Sequence, residues 1–458
     1  MRVVICGAGQ VGYGIAERLA SERNDVSVID TSRSLVQAIR DNLDARGFVG
    51  HGAHPDVLAE AGAEQADMII AVTLHDEVNM VACQVAHSLF NVPTKIARIR
   101  SQSYLKSHWQ NLFSTDNMPI DVIISPEVEV GEMALRRIAL PGAMDVVRFA
   151  NDTIAMVAIE CRDDCPVVDT PLAQLTELFP DLKATVVGIL RSDQLFVPTS
   201  SDQMVAGDIA YVVAERSHVK RTLGLFGHEE PEAGRIVIVG GGNIGFYVAH
   251  EMEKRNLGAK IRVLETKHER AVTIADSLKR TIVLHGSGLD QTILNEADIA
   301  EADLLVALTN DDKVNILSSV MAKRLGCKGN LALLNDPDYQ TFTRTLGIDA
   351  FINPRSVTIS RVLQHVRRGR IRAVHSIQNG LAEAIEAEAL ETSPLVGTPL
   401  RELDLPPDLR VGAIYRDGQF VQPSGQTKIK AKDRVVIFAA AGAVRHVEQL
   451  FRVSLEFF

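Results

Sequence analysis

An internal repeat constrains the fold of this chain more than any other feature. Residues 235–245, RIVIVGGGNIG, restate residues 2–12, RVVICGAGQVG, 233 positions further on. Residues 283–315 likewise resemble residues 49–79. Two shorter matches extend the alignment of the copies, 95–104 with 330–339 and 123–127 with 351–355. A repeat of this length predicts two similar domains in tandem within the 458 residues.

Within the first copy, short β-branched runs alternate with helical patterns. Strands are predicted at 2–6, 25–30, 46–49, 67–73, 94–98 and 121–124, with helices between them, for example over 11–23 and 77–90. Strands that alternate with helices form βαβ units and a parallel sheet. The runs MIIAV and LLVAL are apolar throughout, as expected when helices cover both faces of a sheet.

A smaller segment of different texture follows each copy. Residues 186–219 and 410–444 resemble each other and combine short strands, hairpin turn signals and a final helix. The predicted fold class is therefore α/β, with two Rossmann-like doubly wound parallel-sheet domains, each followed by a small α+β domain. The predicted boundaries are 1–142, 143–225, a polar linker at 226–234, 235–369 and 370–458.

Bulk properties narrow the class of partner and the compartment. A formal charge of −10 argues against nucleic acid as the main partner. No apolar run approaches the roughly 18 residues that a membrane span needs. A signal peptide is not predicted, because Arg2 and Gly7 interrupt the apolar run at the start of the chain. The five cysteines are scattered, which favours a reducing cytosol. Cys161 and Cys165 fit a redox or metal pair less well than two unrelated thiols, because no second Cys/His pair accompanies them.

The glycine-rich turn predicts a nucleotide site. Gly7 permits the tight turn after the first strand, Gly9 lets backbone approach a pyrophosphate, and Gly12 lets helix and strand pack closely. The helix N-terminus adds N–H donors and positive potential. Asp30, at the end of the next strand, suits ribose hydroxyls and would repel a 2′-phosphate, which favours NAD(H). Glu265 is the matching acid of the second copy.

Further candidates lie at the strand ends, where doubly wound sheets bind ligands. Gly52, Ala53, Thr73 and Leu74 suit an adenosine group, and Asn79 contacts either the ligand or only its own helix. The complete set of predicted nucleotide-binding residues is Gly7, Ala8, Gly9, Gln10, Val11, Gly12, Asp30, Gly52, Ala53, Thr73, Leu74, Asn79, Arg98 and Arg100 in the first copy, and Gly240, Gly241, Gly242, Asn243, Ile244, Gly245, Glu265, Gly286, Ser287, Thr309 and Asn310 in the second.

The two copies differ where the fifth strand ends. The first carries Arg98 and Arg100, and arginine suits bidentate phosphate contact. Leu333 and Asn335 replace them in the second copy. The first site is therefore predicted to hold a phosphate-rich ligand with an extra clamp, and a solvated arginine pair is the alternative.

Neither a metal site nor a catalytic centre is predicted. His51 is matched with His285, but the neighbouring histidines His54 and His75 have no counterpart, so no triad repeats. A dehydrogenase needs an acid or base at the nicotinamide, and no such group is visible at a plausible place. The pattern favours a device whose conformation a nucleotide controls.

The segments VVICGAGQVG, AVTLHDEVNM, ARIRSQSY and GDIAYVVAE, in a tandem four-part chain with Asp30, resemble the cytosolic regulatory subunits of Trk potassium-uptake systems, which are built from RCK (KTN) domains. The resemblance implies a non-enzymatic protein that binds NAD(H) and ATP or ADP. It implies a homo-tetramer or other even oligomer on an integral-membrane potassium-conducting subunit, at the cytoplasmic, inner face of the cell membrane.

The resemblance also implies roles for single residues. The turns 7–12 and 240–245 would hold phosphates, Asp30 and Glu265 ribose, and Arg98 a phosphate. Thr73 and Leu74, with Thr309 and Asn310 in the second copy, would lie near the nucleotide. Two alternatives stay open, an NAD-dependent oxidoreductase of unfamiliar type and a regulator of a different, efflux transporter.

Overall fold

The computed structural model describes residues 1–256, 258–340, 342–343, 345–366 and 371–451. The predicted boundary between residues 369 and 370, and residues 452–458, lie outside this part. The predicted fold class is confirmed, with two six-stranded parallel sheets and two five-stranded antiparallel sheets.

The first parallel sheet has the strand order β3-β2-β1-β4-β5-β6. Its strands coincide with the predicted ones to within three residues at either end. The elements are β1 (Arg2–Cys6), α1 (Gln10–Ser21), β2 (Asp25–Asp30), α2 (Arg33–Asn42), β3 (Arg46–Val49), α3 (Pro55–Glu60), β4 (Met68–Ala71), α4 (Asp76–Phe90), β5 (Thr94–Arg98), β6 (Val122–Ile124) and α5 (Pro126–Ile138).

The first small domain is an antiparallel sheet of order β10-β9-β11-β8-β7 with two helices. Its elements are β7 (Ala143–Phe149), β8 (Ile154–Glu160), α6 (Leu172–Leu178), β9 (Ala184–Arg191), β10 (Gln194–Phe196), β11 (Ile209–Glu215) and α7 (Val219–Leu225). The start of the predicted linker packs onto this domain, since Phe226 and His228 are buried and a ring nitrogen of His228 lies 2.8 Å from the Glu160 carbonyl oxygen.

The second half repeats both sheets, with orders β14-β13-β12-β15-β16-β17 and β18-β19-β22-β20-β21. Its elements are β12 (Arg235–Val239), α8 (Asn243–Lys254), β13 (Lys260–Glu265), α9 (His268–Ser277), β14 (Ile282–His285), α10 (Gln291–Glu296), β15 (Leu304–Ala307), α11 (Asp312–Arg324), β16 (Gly329–Leu333), α12 (Pro337–Gln340), β17 (Ala350–Ile352), α13 (Pro354–Val366), β18 (Ile371–Ile377), β19 (Ala382–Glu388), β20 (Leu409–Arg416), β21 (Gln419–Val421), β22 (Arg434–Ala440) and α14 (Val444–Leu450).

The compact units of the chain do not follow the predicted domain boundaries. One unit contains residues 1–129 together with α13, and the other contains the remaining described residues. The reason is that α13 packs on α1, where a Cβ on Gly14 would overlap the Ile359 side chain. Conversely, α5 packs on α8 from Val130 onward, where a Cβ on Gly131 would overlap the Tyr247 ring. The helix α13 therefore belongs to the unit of the first copy, and α5 is divided between the two units after Glu129.

Candidate nucleotide-binding sites

The first glycine turn joins β1 to α1, and glycine is favoured at its three positions for different physical reasons. Gly7 has φ +110°, a backbone conformation that side-chain-bearing residues rarely adopt. A Cβ on Gly12 would overlap the Gly7 carbonyl oxygen, whereas a Cβ on Gly9 would meet no atom within 4 Å. Gly7 is therefore required by the backbone conformation of the turn, and Gly12 by the close packing of the turn on α1. Gly9 leaves open space at the N-terminus of α1, as a bound phosphate requires.

The carboxylate of Asp30 is fixed beside this turn. Its Oδ2 accepts the Ala8 N–H at 2.7 Å, and its Oδ1 accepts the Ser32 N–H at 2.8 Å. A carboxylate oxygen has two lone pairs, so each oxygen can still accept a ribose hydroxyl. The backbone thus orients Asp30 as the predicted ribose contact requires.

The second turn reproduces this geometry. Gly240 has φ +100°, a Cβ on Gly245 would overlap the Gly240 carbonyl oxygen, and a Cβ on Gly242 would meet no atom within 4 Å. The Glu265 carboxylate accepts the Gly241 N–H at 2.9 Å and the Lys267 N–H at 2.8 Å. The longer glutamate side chain therefore performs the same backbone bonding as Asp30.

A buried asparagine fixes the end of the fourth strand in each copy. Asn79 is fully buried, and its Oδ1 accepts the Thr73 N–H at 2.9 Å and the Thr73 hydroxyl at 2.7 Å. Its amide donates to the Arg98 carbonyl oxygen at 2.9 Å. These bonds agree with the packing role of Asn79, and its contact with a ligand stays a prediction. Asn315 makes the equivalent bonds to Thr309 and to the Leu333 carbonyl oxygen.

The residues that follow these threonines are accessible. Leu74 is 73% exposed, which is unusual for a leucine, and Asn310 is also exposed. Gln10 and Asn243 are exposed, and Val11 and Ile244 are half-buried, at the first turns of α1 and α8. These side chains line the carboxyl ends of the central strands, the edge where doubly wound sheets bind ligands.

The two arginines of the first copy have different surroundings. The Arg100 Nε donates to the Glu127 Oε1 at 2.8 Å, so this guanidinium is engaged in an ion pair. The Arg98 guanidinium is more enclosed, and its buried Nε has no hydrogen-bond partner in the described part of the chain. Burial, followed by the neighbouring Arg100 charge, lowers the pKa of Arg98. The two arginines therefore differ in that a carboxylate holds Arg100, whereas the Arg98 Nε has no protein partner among the described residues.

The structure corrects the predicted match at the third strand. Glu265 pairs with His285 in the parallel register, whereas its counterpart Asp30 pairs with Val49. The Gly286 N–H bonds the Glu265 carbonyl oxygen as the Gly50 N–H bonds that of Asp30. Gly286 therefore corresponds to Gly50 and not to Gly52.

The same register changes the other matches in this loop. Ser287 corresponds to His51, and Gly52 to Gly288, since a Cβ on either glycine would crowd the last residue of the first strand, Cys6 or Val239. Ala53 remains beside Gly52 as a buried residue of the first copy. The match of His51 with His285 is wrong by two residues, because His285 pairs with Glu265 as Val49 pairs with Asp30, and similar glycines conceal this shift.

We use crevice for the space between the glycine turn and the carboxyl ends of the central strands in each copy. Two aspartates at the rims of these crevices were missed by sequence reasoning. Both oxygens of Asp76 accept the Arg100 N–H at 3.0 Å, and Oδ2 also accepts the Ser101 N–H at 2.8 Å. Asp312 bonds the amides of Asn335 and Asp336 in the same way. These carboxylates order the loop after the fifth strand. The recurrence of an aspartate three residues before the buried asparagine in both copies was a signal for this role.

The two cysteines of the first small domain are buried and form no disulfide. The neighbouring Cys161 thiol and the Val167 and Val168 amides lower the pKa of Cys165, although burial opposes them. The interpretation as unrelated thiols stays a prediction. The described residues contain no group of three or more His, Cys, Asp or Glu side chains that could hold a metal.

A cavity of about 310 Å³ lies away from both crevices, in the second unit. Its wall includes the ion pairs of Lys323 with Asp349 and Lys328 with Asp303. Because these charges compensate each other, the cavity presents no marked excess of either sign. In the described part of the chain no helix is long and apolar enough to cross a membrane.

The domain layout matches a known family. The TrkA-N domain matches residues 3–126 and 236–354, and the TrkA-C domain matches residues 156–227 and 384–452. The chain belongs to the TrkA family. The Trk system potassium uptake protein TrkA of Azorhizobium caulinodans is 62% identical to this TrkA-family chain over 100% of both. The proteins of that name from Halomonas elongata and Vibrio alginolyticus are 40% and 39% identical over 99–100% of each chain. The predicted family resemblance is confirmed.

Solved structures agree with the fold of this TrkA-family chain. The crystal structure of the GsuK RCK domain aligns with a TM-score of 0.61 at 16% identity, covering 98% of this chain and 94% of that one. The GsuK channel bound to NAD aligns with a TM-score of 0.59 at 16% identity, covering 98% and 78%. GsuK bound to ADP aligns at 0.50 and 14%, covering 80% and 70%. At such identities the likeness concerns the fold alone.

Proposed function

We propose that this chain is a regulatory subunit of a Trk potassium-uptake system and that nucleotides bound in its two crevices control the flux of potassium. The observation that carries the proposal is the duplicated geometry of the crevices. Gly9 and Gly242 each leave open space at a helix N-terminus, next to a carboxylate that the backbone holds in place. The recurrence of both features supports a ligand in each copy.

The proposed ligands are NAD(H) and ATP or ADP. A carboxylate beside the turn suits an unmodified ribose, and the turn with its helix N-terminus suits a di- or triphosphate. The relative GsuK, of similar fold, is known with NAD and with ADP. Arg98 favours the longer phosphate chain in the first crevice, and Leu333 removes that contact in the second.

Binding is proposed to occur without turnover. The polar groups that the fold places at the rim, Asp76 and Asn79 with their counterparts Asp312 and Asn315, are bonded mainly to backbone amides and carbonyls. A general base must instead reach the proton of a bound substrate. This use of the rim side chains favours a regulatory protein over an NAD-dependent oxidoreductase.

The proposed partner is an integral-membrane potassium-conducting subunit, with this chain at the cytoplasmic face of the cell membrane. Self-association into a homo-tetramer or another even oligomer is proposed with it, since closed symmetric assembly is the usual state of soluble oligomers. The support for both is membership of the TrkA family, whose relatives bear the name of potassium uptake proteins.

The test combines binding with product analysis. The purified full-length chain is titrated with NADH and with ATP by calorimetry, and each mixture is then analysed for NAD⁺ or ADP after prolonged incubation. We expect saturable binding and unchanged nucleotide. Conversion at enzyme-like rates that Gly9→Asp abolishes would support the oxidoreductase and reject the regulatory proposal. The direction of transport is tested by measuring potassium accumulation in a strain that lacks this chain. Deletion of an uptake regulator should lower accumulation, and deletion of an efflux regulator should raise it.

A further inference from the structure

Arg270 is a cation of the second crevice that has no counterpart in the first. It lies on α9, where the equivalent position of α2 is Leu35, counted from the acids Glu265 and Asp30. Its Nε donates to the Gly241 carbonyl oxygen at 2.8 Å. Its guanidinium lies 5.5 Å from the centroid of the Phe246 ring, and the equivalent residue of Phe246 is Tyr13.

These contacts place the guanidinium beside the glycine turn of the second copy. The Gly241 N–H is bonded to Glu265, the predicted ribose contact, while the Gly241 carbonyl oxygen is bonded to Arg270. The single residue Gly241 therefore connects the Arg270 guanidinium to the Glu265 carboxylate, the predicted ribose contact. The following residue, Gly242, begins the open space at the N-terminus of α8.

The guanidinium has donor capacity left at this position. Arg270 carries five N–H donors, of which Nε is used at 2.8 Å and one Nη2 donor makes a long contact of 3.5 Å with the Gly242 carbonyl oxygen. Its packing on Phe246 restrains the side chain. A restrained arginine with free donors is suited to a phosphate oxygen, since less side-chain entropy is lost on binding.

We propose that Arg270 contacts the phosphate attached to adenosine in the second crevice. The proposal rests on the nucleotide binding proposed above. The two crevices then carry their extra cation at opposite ends of the ligand. Arg98 serves the distal phosphates of the first crevice, whereas Arg270 serves the adenosine end of the second. The extra cation of the second crevice then contributes equally to AMP, ADP and ATP, whereas that of the first crevice favours ATP.

Single-site variants of the full-length chain isolate each crevice. Gly9→Asp places a carboxylate in the open space of the first turn, and Gly242→Asp does so in the second. Both glycines have φ −62°, which other residues adopt freely. In the Gly9→Asp chain we expect ADP and ATP to bind with affinities within about threefold of each other, because Leu333 stands in place of Arg98. In the Gly242→Asp chain we expect affinity to rise from AMP to ATP.

Three substitutions of Arg270 in the Gly9→Asp chain separate charge from turn support. Arg270→Leu installs the residue of the first copy, Arg270→Gln keeps a donor for the Gly241 carbonyl oxygen, and Arg270→Lys keeps the charge. We expect Leu and Gln to weaken ADP binding roughly tenfold, which is about 1.4 kcal/mol. We expect Lys to retain more affinity than Gln, and the salt dependence of ADP binding to fall in the uncharged variants.

The outcomes are distinguishable. If Arg270→Gln binds ADP as tightly as the parent chain, Arg270 supports only the turn and the proposal is rejected. If Arg270→Gln in the Gly9→Asp chain weakens ATP binding but leaves AMP binding unchanged, the assignment of Arg270 to the adenosine end is rejected. If the wild-type chain binds no adenine nucleotide at all, the proposed function itself fails. Leu35→Arg in the Gly242→Asp chain is the gain-of-contact control and should strengthen AMP binding.

Discussion

Gly12 lies so close to Gly7 that a Cβ on Gly12 would overlap the Gly7 carbonyl oxygen. The same relationship holds between Gly245 and Gly240. The third glycine of each turn therefore allows the close approach of helix and strand, which a side chain would obstruct. The middle glycine has a different reason, since open space surrounds it.

This difference predicts separable effects within one turn. Gly12→Ala should lower the thermal unfolding midpoint of the full chain, because overpacking against backbone costs at least about 1–3 kcal/mol. Gly9→Asp should leave the midpoint of the ligand-free chain nearly unchanged and abolish binding to the first crevice. Differential scanning fluorimetry with and without ATP measures both effects. Equal destabilisation by the two substitutions would contradict the assignment.

The buried asparagines predict a matched pair of destabilising substitutions. Asn79→Ala and Asn315→Ala each leave the Thr73 or Thr309 amide and one strand-end carbonyl oxygen without their partner. Orphaning buried groups costs about 1–3 kcal/mol each. Hydrogen–deuterium exchange should increase in residues 73–79 of the first variant and 309–315 of the second. Unchanged protection in these segments would show that the asparagines do not hold the strand ends.

Arg98 and Arg100 should differ in their effect on ligands. Arg98→Ala should weaken ATP more than NADH, because the partly free Arg98 guanidinium is assigned to a terminal phosphate. Arg100→Ala removes the ion pair with Glu127 and should weaken both ligands by a similar factor. Titration calorimetry of the Gly242→Asp chain gives both ratios. Equal losses of ATP and NADH in Arg98→Ala would remove its assignment.

Glu253 predicts an acid-dependent loss of order at the amino end of β14, on the side of the sheet opposite the second crevice. Its carboxylate accepts the N–H groups of Lys279, Arg280 and Thr281, just before β14. Burial opposes ionisation, but these bonds lower the pKa of Glu253 from 4.5 to about 2. The stabilisation is present above pH 4.5 and is lost as the pH falls from 4.5 towards 2.

The matched variant for this effect is Glu253→Gln. It should reduce the unfolding midpoint at pH 6 and make the midpoint less sensitive to pH between 4.5 and 2. Urea unfolding at several pH values provides the measurement. If the unfolding midpoint of Glu253→Gln falls with pH as steeply as that of the wild type, other carboxylates control the acid-dependent loss.

Sequence reasoning found the parts of the fold that depend on local pattern. The first-copy strands follow from β-branched runs, and the turns follow from the positions of Gly7, Gly9 and Gly12, whose demands are local. The ribose acid was found because it ends a strand next to the turn. In these cases one short segment contains the whole physical reason.

Contacts between distant segments were less accessible. The packing of α13 on α1 depends on a side-chain fit at Gly14 and Ile359 that no periodicity encodes. The register error at Gly286 arose because two glycines two residues apart give two plausible matches, and only the bond to the Glu265 carbonyl decides between them. Arg270 was missed because its neighbours Gly241 and Phe246 approach it only through the fold.

The central claim is that nucleotide occupancy of the two crevices controls potassium transport. The most direct measurement is potassium uptake in a strain that lacks this chain, complemented with the wild type or with Gly9→Asp/Gly242→Asp at matched protein levels. The account predicts that the double variant folds, binds neither NADH nor ATP, and gives uptake that no longer responds to cellular energy depletion. Uptake by the double variant that responds as the wild type does would contradict it.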